Sequence, residues 1–281
     1  EGKVAFADLG VAQGGIVDTP DGKWFAYLFR DFGSVGRIPY IIPMKWEDGW
    51  PVIGVDGKVP ETLDLPESKG LIPGIVNNDE FDRKKSEPAL PLVWQWNHNP
   101  DNSLWSVTER KGFLRLKTGR VDSLFLKSRN TLTQRTFGPV SSGFTKLDAS
   151  KLKEGDFAGL TVFQRKFGQV GVKIADGKKY IFMVSNKTDT PTELESVPLA
   201  QNEVYLKIEC NFRDKTDIAR FFYSLDGKTW TVIGGELKME YTLMEHFMGY
   251  RFGLFNYATK NPGGFADFDY FRISGQISDI N

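Results

Sequence analysis

Two pairs of carboxylates could do chemistry together, as ligands of a cation. Asp79 and Glu80 stand at the start of a long series of short apolar segments, and Asp267 and Asp269 share one face of the last segment if it is a strand. First and last strands often neighbour one another in two-sheet folds, so the four could meet. Carboxylates joined by carbonyl oxygens would select a hard cation such as Ca²⁺. The same residues also read as solvated edge charges that discourage strand pairing between molecules. Asp8, before Leu9-Gly10, and Asp18, opening Asp18-Thr19-Pro20-Asp21-Gly22, read as turn-capping residues. Asp31 lies between an apolar run ending at Phe29 and a loop over 33–36. His98 and His246, the only histidines, make neither a zinc site nor a triad and read as local hydrogen-bonding residues. The one cysteine, Cys210, shares a strand face with Val204, Leu206 and Ile208, which marks it as a buried, inert thiol. No Gly-x-Ser-x-Gly, phosphate-binding glycine loop or Cys-x-x-Cys occurs.

Strands must position these groups. Asp21-Gly22, Asp176-Gly177 and Asp226-Gly227 each sit beside short apolar runs and suit the positive φ angles of hairpin turns. Only 148–153 and 239–247 could hold a helical turn, and 29 glycines with 14 prolines fit a loop-rich, all-β protein. The Pro, Gly and charge of 55–77 read as a linker. It separates 1–54, too short to bury a core unaided, from 78–281, long enough for a two-sheet sandwich. Aromatics reach 14%, with 22 Phe and seven Trp, and read chiefly as core. Charges balance at 36 basic and 36 acidic residues without a basic run, so nucleic acid is not an expected partner. No apolar run is long enough for a helix to span a membrane.

Residues Gln13-Gly14-Gly15-Ile16-Val17-Asp18-Thr19-Pro20-Asp21-Gly22-Lys23-Trp24, then Gly36-Arg37-Ile38-Pro39 and Trp46-Glu47-Asp48-Gly49-Trp50-Pro51, resemble the last blade of the five-bladed propeller of family 43 glycoside hydrolases. Further along, Trp94-Gln95-Trp96-Asn97-His98-Asn99-Pro100, Arg129-Asn130-Thr131-Leu132-Thr133-Gln134-Arg135 and Asp267-Phe268-Asp269-Tyr270-Phe271 resemble the concanavalin A-like (jelly-roll) sandwich attached to xylosidases and arabinofuranosidases of that family. The resemblance implies a partial propeller remnant followed by a β-sandwich, hence the C-terminal part of a larger enzyme. Such enzymes invert the anomeric centre with an acid and a base about 6.5–9.5 Å apart. In the family these carboxylates stand on earlier blades, so no catalytic residue is assigned in this chain, and an upstream propeller polypeptide is an expected partner. The absence of a signal segment says nothing about export, and a secreted or periplasmic setting is expected.

Three residues are carried over as substrate-binding candidates. Arg37 matches the family's arginine that points into the sugar site; its fixed donors could bind vicinal hydroxyls, or it could form a structural ion pair. Gln13 follows Ala12, where relatives often have a histidine near a channel ion or water, so imidazole ligation is in doubt here. Its amide oxygen could still meet a hard cation or water, or satisfy backbone groups. Asp31 lies where a blade would face substrate, although Arg30 and Phe32 depart from the expected neighbours and leave xylose against arabinose open. Two functions follow: part of an exo-glycosidase acting on xylo- or arabino-oligosaccharides, or a stand-alone carbohydrate-binding module using Trp94, Trp96, Trp105 or Trp230 as platforms.

Overall fold

The computed structural model describes residues 11–65, 74–84, 86–87, 89–242 and 248–278. The chain divides into two compact units, Glu1–Ile72 and Pro73–Asn281. The first contains one antiparallel sheet in sequence order: β1 (Val11–Asp18), β2 (Trp24–Asp31), β3 (Arg37–Glu47) and β4 (Trp50–Ile53). The Asp21-Gly22 turn joins β1 to β2, closed by hydrogen bonds between Thr19 and Lys23. Ala26 and Ile42 are fully buried, packed by Val11, Leu28, Tyr40, Ile53 and Val59. That core is small, and Ile16, Tyr27, Ile41 and Trp50 stay exposed.

The second unit carries the remaining strands. They are β5 (Gln95–Trp96), β6 (Trp105–Ser106), β7 (Leu114–Lys117), β8 (Leu132–Arg135), β9 (Val140–Asp148), β10 (Asp156–Phe163), β11 (Phe167–Ala175) and β12 (Lys178–Ser185). After them come β13 (Thr192–Pro198), β14 (Glu203–Asn211), β15 (Ile218–Ser224), β16 (Thr231–Val232), β17 (Leu237–Lys238), β18 (Arg251–Ala258) and β19 (Phe265–Ser274). One sheet runs β13-β12-β11-β10-β18-β8-β5, the other β16-β15-β14-β9-β19-β7-β6, with β17 added beside β15. The fold is an all-β sandwich. Asp176 and Gly177 join β11 to β12 with φ of 51° and 70°, a two-residue turn with both central residues left-handed. The Asp226-Gly227 hairpin has a longer loop, where the Asp226 carboxylate accepts from the Lys228 and Thr229 amides. Residues 148–153 form a strand end and turns rather than helix, and 239–242 are not helical. Residues 243–247 of the second helical candidate lie outside the described residues, His246 and Asp8 likewise.

Period-two alternation builds the core between the sheets. Leu160, Val162, Val170, Val172, Phe252 and Leu254 face Leu147, Leu206, Ile208, Cys210 and Phe221, all buried. Gly168 leaves room for Phe221: a Cβ there would stand 2.2 Å from that ring. The other face of the seven-stranded sheet is also apolar. Phe163, Phe167, Phe182, Val184, Phe255 and Tyr257 form a cluster under Phe125, which enters from a 3₁₀ turn at Phe125–Lys127. Phe125 meets the rings of Phe163, Phe167 and Phe255 at 4.9–5.7 Å, so the inner strands of this sheet are buried on both sides while its edge strand β13 is exposed.

Candidate functional site

In the four-stranded unit the sheet register gathers the three binding candidates at one end. Val11 pairs with Arg30 and Ala12 with Phe29, while Asp31 pairs with Arg37. Between Ala12 and Gly14 the register shifts by one, so Gln13 is the unpaired residue of a β-bulge with φ of 43°. Such an insertion re-aims a side chain. Gly14 is required there, because a Cβ would fall 1.8 Å from the Tyr27 carbonyl oxygen. Arg37 donates from Nε to Asp31 Oδ1 at 3.1 Å, and its guanidinium lies 4.2 Å from the centre of the Phe29 ring. The Arg37 side chain is one-third exposed and that of Asp31 nearly two-thirds. The pair is therefore not a buried structural bridge, and a surface pair of this kind contributes little stability. The arrangement offers a planar donor, a carboxylate acceptor and an exposed amide at one sheet end, a set suited to hydroxyls.

The four sandwich carboxylates do not form the expected cation cage. Asp79 does pair with the last strand, exchanging backbone hydrogen bonds with Phe271. Its carboxylate, however, accepts from Trp94 Nε1 at 2.7 Å and the Phe81 amide at 2.8 Å, and pairs with Arg83. Glu80 pairs with Arg272, and Asp269 stands 3.6 Å from Lys146 Nζ. Asp267, almost fully buried, takes a two-pronged grip from Arg115 at 2.7 and 2.8 Å and a third bond from Arg110 at 3.1 Å. Arg110 also donates to Asp148 at 2.6 Å. Burial works to raise the Asp148 pKa, but hydrogen bonds from Arg110 and the Ser150 amide outweigh it and hold the carboxyl below its ordinary range. Each carboxylate thus faces a cation that would repel Ca²⁺, and the described residues contain no group of three His, Cys, Asp or Glu able to hold a metal. Arg83 stands four residues from Asp79, but the arginines that answer Asp267 could not be matched by spacing, since Arg115 and Asp267 lie 152 residues apart.

The proposed aromatic platforms separate likewise. Trp94 is buried between Phe81 and Phe271 with its indole N–H bonded to Asp79, so it is core and cannot stack on a ligand. Trp96 and Trp105 are half-buried partners 5.2 Å apart. Trp230 lies under the Lys207 ammonium. His98 bonds the Leu126 carbonyl at 2.7 Å, a local role. Cys210 is fully buried, and burial pushes its thiol pKa up.

Residues 78–274 match the family described as the β-xylosidase C-terminal concanavalin A-like domain. The chain belongs to this branch of the family 43 glycoside hydrolases. It is 34% identical to a putative β-xylosidase of Xylanibacter ruminicola over 82% of the chain and 42% of that relative. With a β-xylosidase of Formosa agariphila it shares 29% identity over 95% of the chain and 48% of the relative. It thus spans about half the length of these relatives. Among solved structures, a bifunctional GH43-CE protein of Bacteroides eggerthii superposes with a TM-score of 0.91 at 65% identity, over 96% of this chain and 35% of that one. An engineered family 43 hydrolase with endo-xylanase and exo-arabinofuranosidase activity superposes with a TM-score of 0.83 at 31% identity, over 94% and 54%. These superpositions cover 94% or more of the chain and so extend to the four-stranded unit.

Proposed function

We propose that this chain is the C-terminal part of an inverting exo-glycosidase that releases β-xylosyl or α-L-arabinofuranosyl units from plant polysaccharide. Its catalytic carboxylates stand on preceding blades of the protein to which the chain belongs, and the four-stranded unit is the closing blade. The observation that carries this reading is the convergence of Gln13, Asp31 and Arg37 at one end of a four-stranded meander. Its exposed Ile16, Tyr27 and Ile41 also call for apolar neighbours. The names of the relatives, β-xylosidase and in one case α-L-arabinofuranosidase, support the substrate class.

Within this reading Arg37 donates to adjacent hydroxyls of the terminal sugar, and Asp31 accepts from another while keeping the guanidinium planar to the site. Gln13 Oε1 holds a water or a hard cation such as Ca²⁺ below the sugar, with its remaining ligands drawn from other blades. The upstream propeller polypeptide is the partner that covers the apolar sheet, and the protein works in the periplasm or outside the cell. The test compares the whole protein with this 281-residue chain on 4-nitrophenyl β-xyloside and α-L-arabinofuranoside. Hydrolysis by the whole protein alone supports the reading. Hydrolysis by the chain alone, or none by the whole protein, overturns it.

A further inference from the structure

A cavity of about 110 Å³ opens in the sandwich where the ends of β7 and β18 meet loops around residues 101, 120 and 130. One water needs only about 10–15 Å³ of such space, so the cavity suits a ligand with several polar atoms. Thr118, Asp122, Asn130 and Asn256 line it and are each more than nine-tenths buried. Two of them are fixed as wall. The Thr118 hydroxyl accepts from the Gly263 and Gly264 amides, and Asn130 exchanges two hydrogen bonds with the Asp101 backbone.

The other two have capacity left. Asn256 donates from Nδ2 to the Leu116 carbonyl at 2.8 Å, yet its Oδ1 is buried with no partner. Asp122 meets Arg120 through Oδ1 at 2.9 Å, and among the described residues no hydrogen bond reaches its second oxygen. At the rim Arg129 is exposed, and its charge acts on the Asp101 carboxylate with no hydrogen bond or salt bridge between them among the described residues, which leaves its N–H groups available. The cavity therefore offers acceptors inside and a planar donor outside. A phosphate or sulfate would be repelled by Asp122 and Asp101. A cation would find Asp122 and Asp101 but meet Lys117, Arg120 and Arg129. Neighbouring hydroxyls satisfy both sets, because each can donate inward and accept from the guanidinium.

We propose that this cavity binds a single sugar unit through vicinal hydroxyls, donated to Asn256 and Asp122 and accepted from Arg129. The choice of pentoses as first probes rests on the glycosidase reading; the donor and acceptor pattern does not. The test is a ¹H–¹⁵N NMR titration of the full 281-residue chain with xylose, arabinose and xylobiose. The expected result is saturable shifts, with affinity on the order of millimolar, at the amides of Leu104, Thr118, Gly119 and Asn130. Arg129→Ala, a surface change that leaves the fold intact, should weaken binding about tenfold, as loss of one charge-assisted hydrogen bond does. Arg213→Ala, on a separate turn, should leave it unchanged. No saturable shift, shifts confined to other residues, an unaltered response in Arg129→Ala, or a response to Ca²⁺ in place of sugar would each overturn the assignment. Hydrolysis by the whole protein is measured in parallel. Retained activity without shifts removes the cavity proposal alone, and shifts without activity remove the glycosidase reading alone.

Discussion

Replacing Asp156 by asparagine should stabilise the sandwich at neutral pH and flatten one part of its pH profile. Asp156 is fully buried at the start of β10 against Gly264; its Oδ2 accepts from the Lys153 amide at 2.7 Å, and its Oδ1 has no partner. Burial, opposed only by that hydrogen bond and the Lys153 charge, raises its pKa from 3.8 to about 6. An acid with a raised folded-state pKa holds its proton more tightly when folded. Stability is then greatest below the unfolded pKa, falls as pH rises from about 4 to 6, and stays low above, by up to about 3 kcal/mol. The asparagine side chain does not ionise, and its Oδ1 can keep the Lys153 hydrogen bond. For a domain of this size each kcal/mol moves Tm by about 2–4 °C, so Asp156→Asn should melt several degrees higher at pH 7.5. The assay is the difference in Tm between the two proteins, by scanning calorimetry, from pH 3.5 to 8. The difference should grow between pH 4 and 7 and then level off. A difference independent of pH, or one favouring the carboxylate at pH 7.5, would refute the reasoning.

Phe125→Ala should cost about 3–5 kcal/mol, because the ring is buried against three other phenylalanines, and urea denaturation of the chain measures it. Asp267→Ala should cost about 3–5 kcal/mol by leaving Arg115 without its two-pronged partner, read as a lower urea midpoint at pH 7. Cys210 should resist a thiol reagent in the folded chain and react at once in denaturant, since burial raises its pKa; rapid labelling of the folded chain would contradict that packing.

Much of this fold is legible in the sequence because its signals are local. Asp176-Gly177 dictates a two-residue turn with two positive φ angles, and the alternation of Val204, Leu206, Ile208 and Cys210 puts those four side chains on one buried face. The candidate residues Gln13, Asp31 and Arg37 also fall within one hairpin and its extension, so their convergence follows from short-range register. The bulge at Gln13 is less evident, although a Gly-Gly pair inside a strand is a signal for one. The Asp267 network is not legible. Asp79, Asp267 and Asp269 look like a ligand set until Arg83, four residues on, turns back to Asp79 and Arg115 and Lys146 arrive from distant segments, and charge pairing between strands far apart in sequence leaves no spacing pattern. Trp94 is misread for a related reason, since an indole beside Trp96 looks like a platform until Phe81 and Phe271 close over it. The cavity lined by Asp122, Asn130 and Asn256 draws on separate segments and has no local signature.

In the function proposed above, Arg37 and its neighbours complete the sugar site of an inverting glycosidase. The most direct test follows the anomeric proton by ¹H NMR while the whole protein, and its Arg37→Ala variant, hydrolyse xylobiose. α-Xylose should appear first, from the newly formed reducing end of the cleaved β-linkage, as inversion requires. Arg37→Ala should lower kcat/KM by at least about 100-fold while leaving thermal stability unchanged, because the pair is exposed. β-Xylose as the first product, or full activity without the Arg37 guanidinium, would contradict it.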